Sequence, residues 1–342
     1  MKFSTFTSVD FKTELIAELI FRISTGEDLE TVALEIFQFQ AEHNNIYKKY
    51  LSILNKPFNS IKSISEIPFL PIEFFKTHEV VTPPQNSNFK PQTFLSSGTT
   101  GNETSKHFVA DISIYEKSFR KAYEYFYGDI HNYCVLALLP SYLEREGSSL
   151  VYMLNDLIKE SGHKQSGFYL HNVEELNKTL KSLQEKNQKT ILFGVTYALL
   201  DFVEQYQFRF PGLIVVETGG MKGKRKEIVR DELHQVLCAG FGVEKIHSEY
   251  GMTELLSQAY SKGDGIFKTP PWMKILIRDV NDPVSFLSEN KTGGINVIDL
   301  ANIYSCSFIA TQDLGKLHAD GSFEVLGRFD DSDIRGCNLM IE

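Results

Sequence analysis

The sequence predicts an α/β protein of layered, largely parallel sheets with a smaller β-rich subdomain. Two observations carry that expectation. In the middle of the chain, short apolar runs at 134–139, 190–193 and 213–217 alternate with helical patterns at 149–159 and 197–206. That is the arrangement of parallel strands joined through helices. From Trp272 onward the helical period disappears, and runs at 273–280, 294–299 and 324–326 read as strands with turns between them.

The elements follow in order. Phe11, Leu15, Ile16, Leu19, Ile20 and Ile23 recur at helical spacing up to a polar break at Thr25-Gly26-Glu27-Asp28. A second helical pattern covers 29–54 and stops at Asn55-Lys56-Pro57. Pro68 and Pro71 punctuate an extended stretch at 67–81, and Pro83-Pro84 opens a polar loop. The 213–217 strand ends at Thr218-Gly219-Gly220. A helix over 224–239 and a short strand over 245–250 come next. The expected organisation is a helical part at 1–90, an α/β nucleotide-binding core at 91–270, and a β-rich end at 271–342.

Composition excludes several classes. With 342 residues, 42% hydrophobic and 23% charged, the chain can bury a sizeable core. Its formal charge of -9 lacks the footprint of a nucleic-acid binder. Cys134, Cys238, Cys306 and Cys337 form no CxxC pair, so no zinc or redox motif is expected. There is no apolar leader and no run long enough to span a bilayer, so a cytoplasmic protein is expected.

Three segments carry chemistry. Leu95-Ser96-Ser97-Gly98-Thr99-Thr100-Gly101 combines four hydroxyls with two glycines, a donor-rich concavity suited to phosphate but without the Gly-Lys-Ser/Thr ending of a Walker loop. An ordinary hydroxyl-rich hairpin is the plain alternative. In His247-Ser248-Glu249-Tyr250-Gly251-Met252-Thr253-Glu254, Tyr250 can stack on a purine and Gly251 admits close backbone approach. Thr253 can donate to phosphate, and Glu254 can hold Mg²⁺ against phosphate oxygens. His247 and Glu249 are a poor metal pair and read as a satisfied surface pair. In the third segment, Asp313 of Thr311-Gln312-Asp313-Leu314-Gly315 can accept from ribose hydroxyls, and Arg328 of Gly327-Arg328-Phe329-Asp330 can reach ribose or α-phosphate. Read singly, these two are a turn aspartate and a surface arginine.

In type and order these segments resemble the adenylate-forming superfamily, which includes acyl-CoA synthetases, luciferases and peptide-synthetase adenylation domains. The chain resembles the large N-terminal domain of such enzymes, and Val216-Glu217-Thr218-Gly219-Gly220 looks like the turn flanking their nucleotide and acyl pocket. A narrower resemblance is to the acyl-protein synthetase family, the fatty-acid ligase component of bacterial bioluminescence. It is carried by Ile67-Pro68-Phe69-Leu70-Pro71-Ile72-Glu73-Phe74-Phe75-Lys76, Pro140-Ser141-Tyr142-Leu143-Glu144-Arg145, Ser148-Ser149-Leu150-Val151-Tyr152-Met153 and the run from Asp330 to Leu339. The resemblance implies that ATP and Mg²⁺ serve to activate a carboxylic acid, expected to be fatty, as its acyl-AMP. Ser96, Ser97, Gly98, Thr99, Thr100, Gly101, Gly219, Gly220, Tyr250, Gly251, Asp313 and Arg328 would then bind nucleotide. Thr253 and Glu254 would act at the metal end, and Cys337 would take the acyl group as a thioester. It also implies an acyl-CoA-reductase-like or other acyl-accepting partner. One departure stands out: only Phe329 to Glu342 follow the Gly-Arg motif, so no mobile C-terminal domain is expected and its lysine has no counterpart here. The run Lys222, Lys224, Arg225, Lys226 reads as a solvated face. Two other readings stay open: coenzyme A or a carrier-protein thiol as acceptor, or a non-catalytic acyl or nucleotide binder.

Overall fold

The structure is a computed structural model describing residues 16–83, 90–96, 104–139, 147–219 and 228–329. The described residues group into two compact units. One is drawn from Met1–Gln92, His107–Ile112 and Lys268–Glu342, the other from Thr93–Lys106 and Ser113–Phe267. In chain order the first elements are α1 (Gly26–His43), α2 (Asn45–Ile53), β1 (Leu70–Pro71), α3 (Phe74–Thr77), β2 (Gln92–Leu95) and β3 (Lys106–Val109). Then come α4 (Ile112–Tyr127), β4 (Cys134–Leu138), α5 (Ser149–Ser161), β5 (Gly167–Phe168), α6 (Val173–Glu185), β6 (Thr190–Gly194), α7 (Thr196–Gln205) and β7 (Leu213–Glu217). The last are α8 (Arg230–Phe241), β8 (His247–Tyr250), β9 (Ala259–Ser261), β10 (Ile266–Lys268), β11 (Met273–Arg278), β12 (Thr292–Asp299), β13 (Phe308–Leu317) and β14 (Phe323–Arg328). The fold is mixed α/β, as expected.

In the unit formed from both chain ends, β11, β12, β13 and β14 make an antiparallel meander, and β1 adds to β13 in parallel. The N-terminal helices supply its cover. Phe37 and Tyr47 meet Phe308 of β13 at ring separations of 6.0 and 6.4 Å, and Phe69 meets it at 6.1 Å. Buried amides fasten the chain ends together: Gln40 Nε2 donates to Asn302 O and Ile303 O, each at 2.9 Å. The stretch expected as one helix over 29–54 is two. Asn44 breaks it: its Oδ1 accepts from Ile46 N and Tyr47 N, capping α2, while its Nδ2 donates to Ser305 O at 2.9 Å. A completely buried amide serving a distant carbonyl outweighs helix continuity. The expected polar break at Thr25–Asp28 is the capping box of α1, with Thr25 and Asp28 exchanging side-chain bonds.

In the other unit, β5, β4, β6, β7 and β8 run parallel in that order, with β9 antiparallel to β8. All residues of β4 and β6 are buried, which is why these strands read as unbroken apolar runs. The helix expected over 224–239 begins at Arg230 among the described residues, after an extended Val229. Asp231 and Glu232 then fall in its first turn, where the helix dipole favours acid; the basic run before it would be unfavourable there. The sequence reading assigned no element to α4 or α6. Among the described residues, no helix is long and apolar enough to cross a membrane.

Candidate active site

Two adjacent parallel strands deliver two of the motif segments. β7 and β8 pair through Val216↔His247 and Glu217↔Ser248, so Thr218-Gly219 and Gly251–Glu254 leave neighbouring carboxyl ends. In open α/β sheets that is the edge where ligands bind. The turn after β7 is held from below. Glu217 Oε2 accepts from Gly219 N at 2.8 Å and from Thr196 Oγ1 at 3.3 Å, and His234 Nε2 lies 3.9 Å from Oε1. Gly219 adopts φ +75°, the left-handed region that favours glycine. Burial works to raise the Glu217 carboxyl, but the His234 ring, the Gly219 amide and Arg230 outweigh it and leave it below the ordinary carboxylate value. Gly220 lies outside the described residues.

After β8, Tyr250 is buried with its ring edge-on to Phe267 at 6.0 Å. Thr253 is half-buried and Glu254 is 5% exposed, on a turn closed by Leu255 N donating to Met252 O. The following Leu255 and Leu256 are core residues and root the turn. A hydroxyl and a carboxylate are the hard oxygen donors Mg²⁺ takes, and Mg²⁺ bound with phosphates needs only one or two protein carboxylates. The donor set therefore fits. Among the described residues no group of three or more His, Cys, Asp or Glu is assembled for a metal. His247 and Glu249 are half-buried rather than a surface pair. His247 stacks on Tyr127 at 5.8 Å, and burial pushes it down to about 4.

Of the hydroxyl-rich segment, only Ser96 is described. Its N–H donates to Ser105 O at 3.1 Å and its Oγ accepts from Ser105 N at 2.9 Å, so both rims of the segment are tied together. Ser97, Gly98, Thr99, Thr100 and Gly101 lie outside the described residues, as do Lys222, Lys224, Arg225 and Lys226.

In the unit formed from both chain ends, Asp313 sits in β13 opposite Arg328 of β14. It is a strand residue, not a turn aspartate. Arg328 Nε donates to Asp313 Oδ1 at 2.9 Å, with side-chain exposures of 69% and 8%. Thr311 Oγ1 accepts from Asp313 N at 3.1 Å and fixes the local backbone. One ion-pair bond does not exhaust a carboxylate, which offers about four lone-pair sites. Gly315 is required here: a Cβ would come within 2.6 Å of Glu324 O and Ile295 Cδ1.

Cys337 lies outside the described residues. The other three thiols are poor nucleophiles. Burial raises Cys134 to about 11 and Cys306 to about 12, and it also raises Cys238. Sequence reasoning missed Glu217, His234 and Glu249 as a group. The only available signal was an acid at the end of an apolar strand, directly before a glycine turn.

Comparison with known proteins follows the same lines. The family model for "Acyl-protein synthetase, LuxE" matches residues 26–342. No curated protein matches the sequence. Among solved structures, ATP-bound MatB from Rhodopseudomonas palustris is similar at TM-score 0.51 and 18% identity, over 69% of this chain and 47% of that one. The chain thus spans about half the length of that protein. A 2-hydroxyisobutyryl-CoA ligase in complex with 2-HIB-AMP and CoA gives TM-score 0.63 at 12% identity, over 90% and 77%. A long-chain-fatty-acid-CoA ligase from Archaeoglobus fulgidus gives 0.52 at 14%, over 72% and 53%. At these identities the likeness is one of fold.

Proposed function

Because the chain belongs to the LuxE acyl-protein synthetase family, we propose that it activates a carboxylic acid with ATP and passes the acyl group to a cysteine of its own. The observation that carries this reading is the pair of motif turns leaving the carboxyl ends of β7 and β8. In the first step a carboxylate oxygen attacks the α-phosphorus, forming the acyl-phosphate bond as the bond to the β-phosphate breaks and pyrophosphate leaves. A carboxylate is already ionised at neutral pH, so the protein supplies positioning and charge stabilisation rather than a strong base. Ser96, Ser97, Thr99 and Thr100 donate to phosphate, with Gly98 and Gly101 admitting close backbone approach. Tyr250 and Gly251 border the base, as do Gly219 and Gly220, and Asp313 and Arg328 hold ribose and α-phosphate. Thr253 and Glu254 take the phosphate end, where a Mg²⁺ held by Glu254 would offset the charge of the leaving pyrophosphate.

In the second step a thiolate attacks the acyl carbonyl and AMP departs with the bonding electron pair. Cys337 is assigned this role. The three described thiols are all raised by burial, and Arg335 two residues away favours a thiolate. The acid is proposed to be fatty, and the acyl group to pass on to an accepting or reducing protein partner.

Intact-mass spectrometry after incubation with ATP, Mg²⁺ and straight-chain fatty acids of graded length tests the reading. The wild type gains an acyl mass that hydroxylamine removes, and Cys337→Ser does not, while still exchanging pyrophosphate. An equal labile mass on Cys337→Ser places the acceptor elsewhere. Free coenzyme A acylated with no protein adduct replaces the self-acylation step with direct ligation.

A further inference from the structure

Glu249 stands directly before Tyr250, yet the mechanism above gives it no part. On β8 it lies across from Tyr260 of β9, on the opposite face from Ser248 and Tyr250. A side chain on Gly251 would collide with Glu249 Oε1, and its Cβ would also stand 3.3 Å from Gln258 Cγ. The Glu249 carboxyl therefore occupies the volume that glycine vacates, and the Gly251 backbone is held between Glu249 and Gln258. We propose that Glu249 is a positioning residue for the turn running from Tyr250 to Glu254, and that it acts as an uncharged carboxylic acid packed against Gly251.

The charge state follows from what surrounds it. Glu249 retains some exposure, but the protein packed around its carboxyl, and then the nearby Glu217 carboxylate, push it up to about 8. Two neighbouring carboxyls do not both ionise cheaply, so one proton is held by the pair. Glu217 keeps the charge, because the Gly219 amide, the Thr196 hydroxyl and His234 all serve its ionised form. Nothing else facing Glu249 is charged near neutrality. Tyr127 of α4 and Tyr260 of β9 have phenols raised by burial. His247, on the same strand, is held neutral by burial and by Lys262 and Lys245. Ionising Glu249 would set a second negative charge against the backbone of a turn proposed to receive phosphate.

The sign of the pH dependence is fixed. The folded value lies above the ordinary 4.5, so the folded state holds this proton more tightly than the unfolded chain. The stability from this group is fully present below about 4.5 and is lost as pH rises toward about 8. Glu249→Gln keeps shape and neutrality at every pH. The Tm difference between Glu249→Gln and wild type should therefore widen between pH 5 and 8 and then level off. A difference that stays constant from pH 5 to 9 overturns the proposal. This arm needs no substrate and stands even if adenylation fails. The activity arm rests on the proposed function: wild-type pyrophosphate exchange should fall with a midpoint near pH 8. Glu249→Gln should keep neutral-pH exchange to within about threefold and lose that fall. A folded Glu249→Gln with no exchange at pH 7 would show that the anion is needed, which overturns the proposal. If that variant does not fold, carboxyl-carbon NMR of the wild type decides: a Glu resonance titrating near pH 8 supports the assignment, and all Glu resonances titrating below pH 6 overturn it.

Discussion

Asp313→Ala separates nucleotide binding from folding, because the two effects differ in size. Asp313 is buried in β13 and accepts from Arg328 Nε at 2.9 Å, while the Arg328 side chain is 69% exposed. Water re-solvates an exposed guanidinium, so losing that pair costs the fold only about 1 kcal/mol. The proposed ribose contact is larger. Hydrogen bonds to a charged group contribute roughly 1.5–3 kcal/mol each. Counting a single bond as the floor gives about a tenfold to hundredfold weaker AMP. Titration calorimetry with AMP and with 2′,3′-dideoxy-AMP reads this directly. Wild type should bind the dideoxy nucleotide as weakly as Asp313→Ala binds AMP, and the variant should lose little more when the hydroxyls are removed. Unchanged AMP affinity in Asp313→Ala refutes the ribose assignment. So does an equal further loss on dideoxy-AMP in both proteins, because the carboxylate and the hydroxyls would then act independently.

Glu254→Gln is nearly isosteric on a turn rooted by Leu255 and Leu256; pyrophosphate exchange should fall at least about a hundredfold with Tm held within about 4 °C. Exchange at the wild-type rate would show that Glu254 holds no metal. Gly315→Ala forces a Cβ to within 2.6 Å of Glu324 O and should destabilise the β-meander by about 1–3 kcal/mol in denaturant unfolding. A loss below about 0.5 kcal/mol would mean that β13 and β14 part without cost at that point.

The legible parts of the fold were those whose cause is local. β4, β6 and β7 announce themselves as apolar runs because helices cover both faces of a parallel sheet. The meander strands β11 and β12 show because turn residues separate them. What escaped depends on distant partners. Asn44 breaks a helix for the sake of Thr82 and Ser305, far away in the chain. β13 was read as a binding motif because its polar residues, Thr311 to Gly315, obscure a ten-residue strand. The helix α4 is rich in Tyr and Phe, and its aromatic stripe becomes intelligible only against Tyr260 and His247. At the site, the spacing of Tyr250, Gly251, Thr253 and Glu254 pointed to one turn, and they share one. The proton held between Glu217 and Glu249 was not readable, because it depends on two strands coming side by side.

Carboxylate-dependent ATP–pyrophosphate exchange tests the central claim most directly. Labelled pyrophosphate is supplied with ATP, Mg²⁺ and a panel of carboxylic acids that includes fatty acids of graded length. Label should enter ATP only when a suitable acid is present, because reversal of acyl-AMP formation is the step that returns it. Label entering ATP equally without any acid, or never entering with any acid of the panel while AMP still binds, would contradict acid activation and leave a nucleotide-binding protein in its place.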